Sequence, residues 1–147
     1  MSGTLGVVLA GGEGRRLGAG PVKPLRLVAG RTLLERALDT LRDVCDEIVV
    51  VAPADRVLPS GGARRVNDPP GAAGPLAGLV AGLGAVAFDR AVVLGVDFPL
   101  ARSATLRALL ALLGSAPPGG SGPSSFREGA APLAVVPAPG GIPQPLA

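Results

Sequence analysis

The run Leu5 to Ala10, LGVVLA, stops at Gly11-Gly12, and Gly14, Gly18 and Gly20 follow within ten residues. A short apolar stretch with two valines is the pattern of a buried strand. Glycine permits φ > 0 and lets a ligand come close to the backbone. A strand that opens into such a loop presents several unpaired N–H groups at one point, which is an anion nest. Arg15, Arg16 and Lys23 stand beside it, and Lys23 is the only lysine among fourteen basic residues. Two familiar phosphate loops do not fit. No lysine follows a glycine here, so the P-loop pattern fails. Gly12-Glu13-Gly14-Arg15-Arg16-Leu17-Gly18 is one residue too long for the dinucleotide fingerprint, and Ala52-Pro53 stands where that motif wants an acid. A plain glycine-rich turn is the competing reading. The three cations favour the anion site over it.

The segments that follow alternate between helical and strand patterns. Pro24 to Ala29 reads as an extended connection that turns at Gly30. Thr32-Leu33-Leu34-Glu35 is a capping box. Behind it, Leu33, Leu34, Ala37, Leu38, Leu41 and Val44 share one face at helical spacing. Glu35, Arg36, Asp39, Arg42 and Asp43 lie opposite and read as a solvated surface. Ile48 to Ala52 is wholly apolar, a strand buried on both faces. Residues 54–63 read as a weak helix or loop. Arg64-Arg65-Val66 predicts a short strand that delivers Asn67-Asp68. Leu76, Leu79, Val80 and Leu83 predict a helix from Leu76 to about Ala87, weakened by Gly78, Gly82 and Gly84. Those glycines serve either close approach of a ligand or close packing on the sheet. Ala91 to Val96 is the third strong strand and ends at Asp97. Ser103 is placed as the cap of a helix through Leu113, with Leu106, Leu109, Leu110 and Leu113 on its apolar face. Residues 114–129 are Pro, Gly and Ser, and Leu133 to Val136 reads as one more strand.

Strands alternating with helices predict an α/β fold with a mainly parallel sheet covered on both faces. Ligands of such sheets sit at the carboxyl ends of the strands. Gly11-Gly12, Ala52 and Asp97 all fall on that edge. A carboxylate there is costly unless solvated or paired with a cation. Mg²⁺ held by one or two carboxylates and phosphates suits such a position. An Asp that caps the next turn, helped by Pro99, is the equal alternative from the residues alone. Asp68 has the same two readings, ligand contact or an Asn-Asp-Pro turn.

Leu9-Ala10-Gly11-Gly12-x-Gly14-Arg15-Arg16-Leu17-Gly18, with Lys23 shortly after, resembles the signature of nucleotidyltransferases that activate phosphorylated compounds. Asn67-Asp68, Gly74-Pro75-Leu76-Ala77-Gly78, Val96-Asp97-Phe98-Pro99 and Pro143-Gln144-Pro145-Leu146 make it most similar to the molybdenum cofactor guanylyltransferases. The resemblance covers residues 5–113 and returns at 133–146. It implies a three-layer Rossmann-like nucleotidyltransferase fold in one domain, 1–147, apparently truncated at the C-terminus. Residues 1–113 would be the nucleotide-binding core, and 114–147 a Pro/Gly-rich loop with part of the acceptor side. It implies transfer of GMP from GTP to the phosphate of molybdopterin, with Mg²⁺ and release of pyrophosphate. Asp97 would hold the metal. Lys23 and Arg16 would face the triphosphate, and these three carry the catalytic expectation. Leu9, Ala10, Gly11, Gly12, Gly14, Asp68, Gly74 and Gly78 complete the nucleotide site. Two departures stand out. Many relatives have Asn where this chain has Ala52, and the family pattern runs on beyond Pro-Gln-Pro-Leu. The alternatives are a cytidylyl- or sugar-phosphate nucleotidyltransferase, or a truncated protein that binds nucleotide without turnover.

Composition narrows the rest. The net charge is only +3 and the three aromatics, all Phe, are not interleaved with basic residues, so nucleic acid is not the expected partner. There is no histidine, which removes Ser-His and Cys-His catalysis. Cys45 is the single cysteine and reads as a small buried apolar residue. One cysteine and no secretory signal are the expectation for a cytoplasmic protein. Residues 69–88 are uncharged but carry three Pro and five Gly, too many for a membrane span of roughly 20 residues. The chain is expected to act as a monomer or with a partner that completes the acceptor site.

Overall fold

The computed structural model describes residues 3–11, 20–69, 71 and 74–113. Strand β1 (Thr4–Leu9) is followed by a 3-10 turn at Lys23–Leu25. A small hairpin comes next, β2 (Leu27–Val28) and β3 (Arg31–Thr32), leading into helix α1 (Leu33–Arg42). Strand β4 (Glu47–Ala52), strand β5 (Arg64–Asn67), helix α2 (Pro75–Leu83), strand β6 (Arg90–Gly95) and helix α3 (Ser103–Leu112) complete the described elements. The main sheet has the order β5-β4-β1-β6 and every neighbouring pair is parallel. The expected α/β fold is therefore present.

Side-chain alternation splits the core into two layers. Val8, Ala10, Val50, Ala52, Leu94 and Val96 point to one face and pack with Leu34, Leu38 and Leu41 of α1 and Leu106 of α3. Leu5, Val7, Val49 and Val51 point to the other face, where Leu83 of α2 joins them. Val7, Val8 and Val49 are completely buried, as expected for strands covered on both sides.

The capping box forms as expected. The Glu35 N–H donates to the Thr32 hydroxyl (3.1 Å), and the Thr32 N–H donates to the Glu35 carboxylate (2.8 Å). That backbone bond, with the Thr32 hydroxyl next, holds the Glu35 carboxyl below its ordinary pKa. The charged face of α1 is structural. Asp39 pairs with Arg31 and Arg42, and Arg36 donates to the Val28 carbonyl at 2.9 and 2.5 Å. Cys45 is half-buried against Gly6. Desolvation first, and Asp46 second, push its thiol up to about 11, so it stays protonated and is no nucleophile at neutral pH.

Three local expectations are corrected. Pro24 to Ala29 is not simply extended: it contains the 3-10 turn and the first strand of the hairpin. Ala29 and Gly30 both have positive φ, +49° and +78°, which is what a two-residue hairpin turn requires. Residues 54–63 take the loop of the two expected readings, with turns and no helix. Helix α3 begins at Ser103 with Arg102 as its cap, and no side chain caps it. Helix α2 ends at Leu83, because Gly84 closes it with its N–H on the Val80 carbonyl (3.0 Å).

On the buried side of α2, glycines lie against the sheet beside Leu83. Gly78 and Gly82 are its buried residues, while Leu76 and Val80 are 69% and 62% exposed. A Cβ on Gly82 would lie 2.6 Å from Val7 Cγ1 and 2.9 Å from Val51 Cγ2. Close packing on the sheet is thus the role of Gly82. Gly82→Ala sets a helix gain of about 0.8–1 kcal/mol against an overpacking cost of about 1–3 kcal/mol. We expect overpacking to prevail, with a net loss of about 1 kcal/mol and a Tm lower by several degrees in thermal denaturation.

Candidate active site

The chain steps outward from β1 to β4 to β5, then returns to place β6 on the other side of β1. The strand order therefore reverses between β1 and β6, and a parallel sheet opens a crevice at the carboxyl ends at such a point. Three of the four strands, β1, β5 and β6, are extended past their ends. The Ala10 N–H donates to the Val51 carbonyl (2.8 Å), the Asp68 N–H to the Ala52 carbonyl (3.0 Å), and the Val96 N–H to the Leu9 carbonyl (3.4 Å). These bonds fix the start of each mouth loop in the plane of the sheet. Asp68, Ala52, Ala10-Gly11 and Asp97 stand along one edge in that order. With about 4.8 Å between strands, the edge from β5 to β6 is about 14 Å long.

At the β6 end, the Phe98 N–H donates to the Gly95 carbonyl (3.3 Å) and closes a tight turn around Val96-Asp97. The Asp97 carboxylate folds back over Gly95, where a Cβ would collide with it. Its other oxygen faces Lys23, with Nζ 3.2 Å from Oδ2. The Asp97 side chain is 54% exposed and that of Lys23 22%. Lys23 is held there from behind. Pro24 is fully buried, the Leu25 N–H donates to the Val22 carbonyl (2.8 Å), and the Leu33 N–H ties the Arg26 carbonyl to the start of α1 (2.9 Å). The lone lysine and the acid of the third strong strand therefore meet, although 74 residues of chain separate them.

At the other end Asp68 lies between two glycines. Its Oδ2 is 2.9 Å from where a Cβ on Gly11 would sit, and its Oδ1 is 3.0 Å from a Cβ on Gly78. Leu9 Cδ2 and Val51 Cγ1 are also in reach of that Gly78 position, at 3.5 and 3.4 Å. The structure thus gathers Leu9, Gly11, Asp68 and Gly78 at one place, with buried Ala10 next in the chain. Gly78 packs on the sheet and makes room for the carboxylate at once. Gly74 differs: it is exposed, no atom of the described residues comes within 4 Å of its Cβ position, and its φ of +99° opens α2. Gly12, Gly14 and Arg16 lie outside the described residues. Ala52 is fully buried in the core, and its carbonyl serves Asp68.

Among the described residues no three acidic, His or Cys side chains come together to cage a metal ion. Asp97 offers a half-exposed carboxylate at the mouth, already facing a cation. That suits Mg²⁺, which keeps water ligands and takes one or two carboxylates plus substrate phosphate. Sequence reasoning missed Arg56. Its Nη1 donates to the carbonyls of Ala10 (3.1 Å) and Gly11 (3.0 Å) from the β4–β5 connection. One arginine of thirteen, in a segment without periodicity, gave no signal.

Residues 6–147 match the MobA-like NTP transferase domain family. The chain belongs to that family. A molybdenum cofactor guanylyltransferase of Desulfosudis oleivorans is 34% identical over 110 residues, covering 75% of this chain and 54% of that protein. Among solved structures, Rv0371c of Mycobacterium tuberculosis superposes with a TM-score of 0.62 at 25% identity, covering 76% of this chain and 60% of that one. The 2-C-methyl-D-erythritol 4-phosphate cytidylyltransferase of Thermus thermophilus gives 0.57 at 28% identity, with 75% and 50% covered. The chain spans about half the length of the curated relatives it matches. Membership in the MobA-like family agrees with the parallel sheet and with a loaded carboxyl edge. No helix among the described residues is long and apolar enough to cross a membrane.

Proposed function

We propose that this chain is a nucleotidyltransferase that moves GMP from GTP to the terminal phosphate of molybdopterin. The meeting of Lys23 and Asp97 at the point where strand order reverses carries this reading. The base end of GTP lies by Leu9, Ala10, Gly11, Asp68 and Gly78, with Gly74 setting the entry to α2. The triphosphate lies toward Lys23 and Asp97, with Gly12, Gly14 and Arg16 of the opening loop around it.

In the reaction an oxygen of the acceptor phosphate forms a bond to the α-phosphorus. The bond from that phosphorus to the bridging oxygen of pyrophosphate breaks. The attacking phosphate is already ionised at neutral pH, so no general base is required, and a chain without histidine suffices. The residues act by alignment and by charge. The buried strand ends fix the base, which sets the angle of approach. Lys23 donates to phosphate oxygens as charge builds on the pentavalent centre and on the departing pyrophosphate. Asp97 would hold Mg²⁺, which when bound neutralises phosphate charge. Asp68, next to the Gly11 main chain, accepts hydrogen bonds from the nucleoside.

The likeness to a cytidylyltransferase structure supports a second reading, with CTP as donor and another phosphorylated acceptor. Thermal shifts with GTP, CTP and ATP, each with Mg²⁺, separate the two. A ligand at 100 times its Kd stabilises by about 2.7 kcal/mol. We expect the largest rise in Tm with GTP. A larger rise with CTP would favour the second reading, and no rise with any triphosphate would contradict both.

A further inference from the structure

We infer that Arg56 is a positioning residue that sets base selectivity by fixing the peptide between Ala10 and Gly11. The inference rests on the nucleotide reading above. Strand β1 ends at Leu9, and the Ala10 and Gly11 carbonyls lie past the last residue of the strand. One guanidinium nitrogen of Arg56 takes both of them, at 3.1 and 3.0 Å. A hydrogen bond from a charged donor is stronger than a neutral one, and this one is partly shielded from solvent. The arginine is itself held. Its backbone N–H donates to the Pro53 carbonyl (3.1 Å), and Arg65 Nη2 donates to the same carbonyl (2.6 Å). A brace thus runs from β5 through the turn after β4 to the mouth of β1.

The consequence follows from peptide geometry. A trans peptide is planar, so its carbonyl and its N–H point in opposite directions. With the Ala10 carbonyl drawn to Arg56, the Gly11 N–H is aimed away from Arg56. A fixed donor there suits a base that offers a carbonyl oxygen, as guanine does with O6. It opposes a base that offers an amino group at the same place, as adenine does with N6. Without Arg56 the peptide is free to rotate and can present its carbonyl instead, which suits the amino group.

The experiment is isothermal titration of wild type, R56Q and R56K with GTP and with ATP, each with Mg²⁺, alongside the Tm of the ligand-free proteins. We expect wild type to prefer GTP. We expect R56Q to lose about tenfold or more in GTP affinity, to gain or hold ATP affinity, and so to bring the ratio toward one. R56K keeps the charge but not the planar fork, and is expected to lie between them. A role in stability alone would lower both affinities together and leave the ratio unchanged, and that result overturns the inference. An unchanged ratio in R56K overturns it as well if R56Q does not fold. A wild type that binds neither triphosphate, or shows no preference for GTP, overturns the GTP reading and the inference with it.

Discussion

Asp97→Ala is expected to lower metal-dependent pyrophosphate release by about a thousandfold or more, on the order of 4 kcal/mol of lost transition-state stabilisation. The effect is expected to be chemical rather than structural. Asp97 stands at the tip of a turn closed by main-chain atoms, from the Phe98 N–H to the Gly95 carbonyl. Its side chain is half-exposed and its ion pair is with Lys23, which is itself partly exposed. Such a pair contributes at most about 1 kcal/mol to stability. The variant is therefore expected to melt within a few degrees of wild type. Titration with Mn²⁺ in the presence of GTP is expected to show that metal affinity has gone. A variant with normal turnover would remove Asp97 from the mechanism.

Lys23→Ala is expected to cost about 2–4 kcal/mol, roughly 30-fold to a thousandfold in kcat, the amount lost with one oxyanion donor. Lys23 differs from Asp97 in what it serves. Its charge acts most strongly where phosphate charge builds, so the loss is expected in kcat more than in KM. The 3-10 turn and the buried Pro24 hold the backbone independently of the lysine side chain. An unchanged rate would mean that the glycine-rich segment is only a turn. Steady-state kinetics with GTP varied at saturating acceptor separates the two parameters.

The parallel sheet was readable because its strands are apolar runs of the right length. Val49 to Ala52 has no polar residue, and it is buried on both sides. The start of α1 was readable because a capping box is local chemistry, made by Thr32 and Glu35 three residues apart. Lys23 and Asp97 were singled out separately by pattern and resemblance. Their pairing needed coordinates, because it depends on β6 crossing back beside β1. For the glycines of α2 the sequence left two readings open, approach of a ligand or packing on the sheet, and closeness to Val7 and Val51 selects packing for Gly82. No side-chain pattern announces a contact made by the lack of a side chain. The β2–β3 hairpin was missed because Ala29, not glycine, takes the first positive φ of its turn. Arg56 acts through main-chain carbonyls forty-five residues or more away, and such carbonyls leave no mark in a sequence.

Label transfer tests the account most directly. GTP carrying the label on its α-phosphate is incubated with this chain, molybdopterin and Mg²⁺, and the products are separated. The label is expected to move to the pterin as pyrophosphate is released in equal amount, with neither seen in Asp97→Ala. Tight GTP binding with the label left wholly in GTP would contradict it and would make the chain a nucleotide-binding protein without turnover.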